Sequence, residues 1–370
     1  MGAAAALALR GAGLAVGVLD ARGARPTRPA DPRPIALSYG SRLILERLGV
    51  WEALESPTPI ERIHVSQRGG FGRVELGAAQ AGLPALGYVV DYDQLDGALA
   101  GALEARGECQ LIRARASAIE PGEPTARAHF DAAQAAGQAR ARLIAVADGG
   151  ALAASRASTR DYGQAVVTAR VGCSLPRRHV AFERFTPEGP LALLPAGESF
   201  ALVWTTTPDR ARELCELADA DFLARLQAAF GNRLGAFNRA GPRSRYPIAL
   251  KVADRIAESR VVALGNAAQT LHPVAGQGLN LGLRDAWELA ALLRDCNPGE
   301  VGAARLLERY RARRRLDRGG GIGFTDALVR LFSNDIAPVK FARGLGLALL
   351  GAVPPARDFV VKRMTFGARG

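Results

Sequence analysis

A short strand, a loop rich in glycine and proline, and a long helix follow one another between residues 261 and 285. Val261–Leu264 is apolar and partly β-branched, which predicts a buried strand. Glycines at 276, 278 and 282 allow a backbone to approach a ligand closely. The N-terminus of the helix, predicted near Gly278, offers unpaired N–H groups that suit an anion or an electron-rich carbonyl. An ordinary glycine-rich loop before a helix would give the same pattern.

Strands and helices alternate at both ends of the chain, and short antiparallel strands fill its middle. Ile35–Leu54 is predicted as one amphipathic helix, and Asp209–Phe230 as another. This order indicates an α/β fold, in which a Rossmann-like nucleotide domain carries a mainly antiparallel β-sheet substrate lobe and a helical C-terminus. The predicted boundaries are 1–160 and 256–300 for the two parts of the nucleotide lobe, 161–255 for the sheet lobe and 301–370 for the helical region.

Positive charge is concentrated near the C-terminus. The net charge is +12, and residues 305–370 alone carry fourteen Arg or Lys against five Asp or Glu. With no zinc-finger or RNP-like pattern, a membrane surface is a better partner for this charge than nucleic acid, although a solvated helix face would also explain it. Four scattered cysteines and four scattered histidines predict no metal site and a reducing cytoplasm. No run reaches the ~18–20 apolar residues of a membrane span.

The run from Gly265 to Asp285 resembles the second FAD motif of the flavoprotein aromatic-ring monooxygenases. It shares ten positions with that motif: Gly265, Ala267, Ala268, Pro273, Gly276, Gln277, Gly278, Asn280, Gly282 and Asp285. Asn266 and Gln269 depart from it, replacing an Asp and a His. The variant GNAAQTLHP is similar to the branch that hydroxylates 2-polyprenyl-6-methoxyphenol in ubiquinone biosynthesis. Asp148-Gly149 resembles only the start of the family's other signature.

The resemblance implies a Rossmann-like FAD-binding domain and a set of cofactor-binding residues: Gly2, Asp20, Arg33, Gly265, Asn266, Pro273, Gly276, Gln277, Gly278, Leu279 and Asn280. Asp20 matches the acid that hydrogen-bonds the adenosine ribose. Arg33 matches an arginine near the FAD phosphates, although a surface arginine in a proline-rich loop would look the same. The resemblance identifies no catalytic base. His179 and Tyr162 are candidates, and either could instead be an ordinary sheet residue.

Members of this family begin with a strand and a G-x-G-x-x-G turn that brings the FAD pyrophosphate to a helix N-terminus. Gly2 matches the third glycine of that turn, and the first strand and two glycines are absent from this sequence. We therefore expect an N-terminally truncated chain, for which a misassigned start codon is a better explanation than a pseudoenzyme. Weak FAD binding, or none at all, is the expected consequence.

The resemblance implies an FAD-dependent monooxygenase that uses NAD(P)H and O2 to hydroxylate a polyprenylated phenol. Another FAD-dependent aromatic hydroxylase, a prenyl reductase and a flavin-free assembly partner remain as alternatives. Because such a phenol is nearly insoluble in water, we expect a cytoplasmic protein that is peripheral on the inner face of the plasma membrane, beside other ubiquinone-biosynthesis proteins.

Overall fold

The protein is described by a computed structural model, which covers residues 1–21, 33–105, 107, 109–132, 136–152 and 157–368. Its helices, in chain order, are α1 (Gly2–Ala8), α2 (Tyr39–Arg47), α3 (Tyr92–Glu104), α4 (Pro208–Glu216), α5 (Asp219–Phe230), α6 (Gln277–Arg294), α7 (Ala304–Phe332), α8 (Ala337–Ala352) and α9 (Pro354–Phe366).

The strands of the first half are β1 (Gly17–Leu19), β2 (Pro34–Ser38), β3 (Thr58–Ile60), β4 (Arg62–Gln67), β5 (Arg73–Gly77), β6 (Gly87–Asp91), β7 (Gln110–Ile112), β8 (Ala114–Glu120), β9 (Ala126–Ala132), β10 (Ala136–Ala141) and β11 (Ile144–Val146). Those of the second half are β12 (Ala157–Cys173), β13 (Val180–Thr186), β14 (Gly189–Ala196), β15 (Ser199–Thr206), β16 (Phe237–Ala240), β17 (Ser244–Ala253), β18 (Ala257–Glu258), β19 (Val261–Ala263) and β20 (Gln269–Thr270).

One large sheet dominates the second half of the chain. Its strand order is β20-β17-β12-β15-β14-β13-β4-β5, and β16 also pairs with β12. Neighbouring strands are antiparallel except β13 and β4, which run parallel. One face carries α4 and α5 over a core that contains Phe182, Leu202 and Phe222. The strands β4 and β5 thus belong to this sheet, although they come before residue 161, the predicted start of the sheet lobe. The lobe boundaries themselves stay a prediction.

The nucleotide lobe combines short parallel pairs with helices. β1 pairs in parallel with β7, and β11 with β19. Residues 4–8 of α1 are buried against α6 and α3 in one core with apolar side chains of α2 and the start of α7. The predicted mixed α/β fold is confirmed, and β19 occupies three of the four residues predicted as its strand.

Two predicted helices are interrupted. Residues 35–38 belong to β2, which pairs with β6, and α2 begins only after Ser38. The Ser38 side chain accepts a hydrogen bond from the Ser41 N–H at 3.2 Å and so caps the helix. The segment 209–230 is divided into α4 and α5, because Leu217 and Ala218 both adopt an extended backbone.

Helices α8 and α9 follow α7 and leave several large apolar side chains exposed. Within the described ranges, no single helix is long and apolar enough to cross a membrane. The pair α8 and α9 passes that test only jointly, and the two helices meet at a bend of 95°.

Candidate functional site

The N-terminus of α6 is shaped by glycine. Gly276 precedes the helix with φ of 60°, in the left-handed region where glycine is favoured, and no described side chain caps the helix there. A Cβ at Gly276 would lie 3.2 Å from the Cβ of Ala36, so β2 packs closely against this turn. A Cβ at Gly278 would meet no atom of the described residues within 4 Å. The start of α6 is therefore an uncapped helix N-terminus with open space beside Gly278.

Asn280 fixes this turn with its side-chain amide. The Oδ1 atom accepts a hydrogen bond from the Ser38 N–H at 2.8 Å. The Nδ2 group donates to the carbonyl oxygens of Ala36, at 3.0 Å, and Gly276, at 2.7 Å. The side chain is 2% exposed and joins β2, the turn and α6. Asn280 can therefore offer a ligand its backbone only.

Asp285 organises the loop that precedes this turn. Its carboxylate accepts hydrogen bonds from the Gly265 N–H at 3.1 Å and from Gln269 Nε2 at 2.7 Å. It also forms an ion pair with Arg314 of α7 at 2.7 Å. The Oε1 atom of Gln269 in turn accepts from Arg318 Nε at 2.9 Å. Gln269, which departs from the family motif, thus bridges an acid and a base inside the protein.

Burial and neighbouring charges shift the pKa values of the carboxyl groups in this network in opposite directions. Burial raises the pKa of Asp285, and the adjacent Arg314 guanidinium only partly offsets that effect. Although burial acts in the same direction on Asp317, its ion pairs with Arg284 and Arg314 lower its pKa overall. Arg318 donates to the carbonyls of Ala253 and Ala268, so α7 holds the loop through several charge-assisted bonds. Sequence patterns did not indicate these α7 arginines, because their partners are distant in the chain.

Other predicted cofactor-binding residues also lie close to Gly265. The Met1 side chain, next to Gly2, would contact a Cβ at Gly265 at 2.6 Å and one at Gly282 at 2.9 Å. Asn266 lies beside the turn at Asp148, because a Cβ at Gly150 would be 3.0 Å from the Asn266 carbonyl oxygen. Asp148 itself accepts hydrogen bonds from the N–H groups of Gly150 and Leu152.

Asp20 and Arg33 make contacts with residues outside that cluster. Asp20 directly follows β1, is 7% exposed and forms an ion pair with Arg113. The guanidinium of Arg33 lies 4.7 Å from the ring centre of Tyr246 on the large sheet and 5.9 Å from that of Tyr92. Cation–π contacts of this kind hold a guanidinium in a defined orientation.

Pro273 and His272 lie just before the turn at Gly276. The Pro273 carbonyl accepts from the Gly276 N–H at 3.0 Å. His272 is fully buried, and burial lowers its pKa to about 4, so the ring is neutral at physiological pH. Its Nδ1 atom accepts from the Val274 N–H at 3.1 Å. His272 is therefore a structural part of the loop.

Neither predicted base candidate is well placed for proton transfer. Burial, together with the hydrogen bond from Tyr162 to Asp326 at 3.0 Å, raises the pKa of Tyr162 to about 12. The phenol of Tyr162 therefore stays protonated at neutral pH. His179 lies in the turn before β13, is 40% exposed and contacts Glu61 at 2.9 Å. Among the described residues, no cluster of His, Cys, Asp or Glu could hold a metal ion.

The second face of the large sheet approaches the α6 turn. Ala181 of β13 packs with Ala36 and Val89, and Phe185 of the same strand packs with Val274. Since Val274 and Ala36 flank Gly276, this sheet face and the α6 N-terminus enclose one region. An uncapped helix N-terminus, a glycine with open space and a sheet face fit the ring end of a flavin and a substrate beside it.

The fold is that of flavin-dependent monooxygenases. The structure of p-nitrophenol 4-monooxygenase PnpA from Pseudomonas putida superposes with a TM-score of 0.77 at 16% identity, covering 100% of this chain and 96% of that one. The profile of the FAD binding domain family matches residues 1–318, and the chain belongs to that family. The predicted resemblance and FAD as the cofactor are thereby confirmed.

Two relatives in sequence carry ubiquinone-pathway names. Ubiquinone hydroxylase UbiL of Rhodospirillum rubrum is 36% identical over 374 residues, which cover 98% of this chain and 86% of the relative. The 3-demethoxyubiquinol 3-hydroxylase of Escherichia coli is 32% identical over 366 residues, which cover 94% and 91%. The individual cofactor-binding residues stay predictions.

Proposed function

We propose that this chain is an FAD-dependent monooxygenase that hydroxylates the ring of a polyprenylated phenol in ubiquinone biosynthesis, with NAD(P)H and O2 as co-substrates. The observation that carries the proposal is the α6 N-terminus, which no side chain of the described residues caps and which has open space beside Gly278, near a sheet face. The names of the two sequence relatives support the choice of pathway.

The residues around the turn would hold the ring end of the cofactor. FAD, when bound, supplies the redox chemistry that links NAD(P)H oxidation to oxygen insertion. Backbone N–H groups of Gly278, Leu279 and Asn280 would stabilise negative charge on the electron-rich edge of the ring. Gly265, Asn266, Pro273 and Gln277 would line the same end.

The remaining predicted residues would serve the nucleotide end. Gly2 lies beside Gly265 through Met1, and Asp20 would meet the ribose while keeping its ion pair with Arg113. Arg33 would contact the phosphates, because the forked donors of its guanidinium, which lies 4.7 Å from the ring centre of Tyr246, match phosphate oxygens.

A product assay tests the proposal. The purified protein is supplied with FAD, NAD(P)H and a short-chain prenylated methoxyphenol, and both nicotinamide consumption and hydroxylated product are measured. We expect product in near-stoichiometric amount with the nicotinamide consumed. Flavin binding without hydroxylated product would favour another FAD enzyme, such as a prenyl reductase. Absence of bound flavin even from a chain extended upstream to restore the missing strand and glycines would favour an assembly partner.

We also propose that the protein takes its substrate from an anionic membrane surface on the cytoplasmic side. The supporting observation is a stripe of apolar side chains on α8, which consists of Phe341, Leu345 and Leu349 and is 46–63% exposed. These residues are spaced by four and so share one helix face. Lys340 and the arginines of α7 and α9 supply nearby positive charge, which anionic lipid headgroups attract.

A further inference from the structure

One row of residues crosses five strands of the large sheet in register. Val65 pairs with Glu183, Glu183 with Ala192, Ala192 with Val203 and Val203 with Thr168. All five are partly exposed, whereas the next residues along the strands, Phe182, Leu191 and Leu202 among them, are buried on the opposite face. The row is therefore a partly covered strip on an otherwise packed sheet.

The strip faces the α6 turn. On β13, Ala181 and Phe185 flank Glu183 and point to the same side, since side chains alternate along a strand. Ala181 packs with Ala36, and Phe185 packs with Val274 and stacks on Phe332 at 3.8 Å between ring centres. Glu183 thus lies between two contacts that reach the neighbourhood of Gly276.

Glu183 is the only ionisable member of the strip, and one of its carboxyl oxygens is left unsatisfied. The Oε1 atom is sealed from solvent and has no hydrogen-bond partner among the described residues. The neighbouring Arg184 points to the opposite face, where its Nε donates to the Ala229 carbonyl at 3.2 Å. Arg170, on β12, faces the same side but pairs with Asp91. Burial raises the pKa of Glu183 to about 7.

A buried carboxyl oxygen without a partner is costly and calls for a ligand or a role. The apolar members of the strip suit an aromatic ring, and the carboxylate suits a hydroxyl group on that ring. A general base works best when its pKa lies near the working pH.

We propose that Glu183 is the catalytic base that accepts the proton of the substrate phenol. In this step the phenol O–H bond breaks, the proton moves to a carboxylate oxygen of Glu183, and the electron pair stays on the phenol oxygen. The ring of the resulting phenolate is more electron-rich than that of the neutral phenol, and oxygen insertion requires such a ring. This inference rests on the proposed function.

The test compares Glu183→Gln with the wild type, both loaded with FAD, on the prenylated methoxyphenol. Glutamine keeps the shape but cannot take the proton, so we expect kcat/KM for hydroxylated product to fall by about 100-fold. Flavin content should not change. The wild-type rate should rise with pH through about 7 as Glu183 ionises, and the variant should lose that rise. Glu183→Asp should retain part of the activity.

A second substrate separates catalysis from folding. A phenol with a pKa near or below the assay pH needs no base, so it should reduce the deficit of Glu183→Gln to within a few-fold. Glu198→Gln is the matched control, because Glu198 is 66% exposed in the turn between β14 and β15. Equal rates and equal pH profiles for Glu183→Gln and the wild type would overturn the inference while leaving the proposed function intact. Absence of hydroxylated product from the wild type would instead overturn the proposed function.

Discussion

The Asn280 side chain bonds to protein groups, and those bonds define the shape of the α6 turn. Removing it would leave the Ser38 N–H and the Ala36 carbonyl without that partner in a largely buried place, whereas the Gly276 carbonyl keeps its helical bond. We expect Asn280→Ala to lower the free energy of unfolding by about 3 kcal/mol, since each unsatisfied buried group costs about 1–3 kcal/mol. Denaturant unfolding measures this loss.

Asn238→Ala is the control for that substitution. Asn238 lies exposed on β16, so its removal should change the free energy of unfolding by less than about 0.5 kcal/mol. Similar losses for the two variants would contradict the role assigned to Asn280.

Glu183 makes stability depend on pH in a defined direction. Burial raises its pKa in the folded protein from 4.5 to about 7, so the folded state binds the proton more tightly than the unfolded chain. Ionised Glu183 therefore destabilises the folded state. This destabilisation is absent below about pH 4.5, grows as the pH rises from 4.5 to 7 and reaches its full size above about pH 7. Glu183→Gln should therefore be more stable than the wild type at pH 8, by on the order of 3 kcal/mol, and lose this advantage at pH 4.5.

Thermal or urea unfolding at both pH values checks this expectation, with Glu198→Gln as the exposed counterpart. A stability difference between Glu183→Gln and the wild type that stays constant with pH would argue against a perturbed carboxyl. Sequence patterns could not single out Glu183. The run VAFERFT places Glu183 and Arg184 on opposite faces, and only the packing of the sheet distinguishes those faces.

At the scale of elements, α6 begins within one residue of its predicted start, because its apolar stripe and glycine-rich entry are local signals. The segment 35–54 was predicted as one helix, and this was wrong: Ile35 and Leu37 pair with β6, a contact between residues some fifty positions apart that propensity does not register. The predicted loop and helix at 265–285 are present in the structure. The hydrogen bonds and ion pair that α7 makes with them are tertiary contacts, which local sequence patterns do not indicate.

The α6 N-terminus allows a ligand effect to be separated from a folding effect. Gly278→Ala adds a methyl group where no atom of the described residues lies within 4 Å, and alanine favours a helix by up to about 1 kcal/mol over glycine. We expect unchanged or slightly raised stability of the flavin-free protein but at least tenfold weaker FAD binding. Flavin fluorescence titration gives the affinity.

Gly101→Ala is the matched control. Gly101 lies in α3, and a methyl group there would likewise meet no atom of the described chain within 4 Å. The substitution therefore raises the helix propensity of α3 by the same amount and changes nothing near the predicted site. Unimpaired FAD affinity in Gly278→Ala would contradict the placement of the ring end at this turn.

At the scale of the whole molecule, the exposed stripe on α8 is the surface proposed to meet the membrane. We expect Phe341→Asp to weaken sedimentation with anionic liposomes several-fold, because it removes apolar contact area and adds repulsive charge. Its 63% exposure predicts an intact fold. Leu175→Asp, equally exposed after β12, should sediment like the wild type. Equal binding of both variants would exclude the α8 stripe as the contact surface.

Helix α7 has a mechanical consequence for the two lobes. It is continuous over 29 residues, or about 44 Å, and begins in the nucleotide-lobe core with Leu306. Its middle holds the 265–270 loop through Arg318, and its end stacks Phe332 on the sheet. A continuous helix that packs against both lobes resists hinge bending between them. Heat should therefore melt the nucleotide lobe and the sheet lobe together, in one cooperative transition.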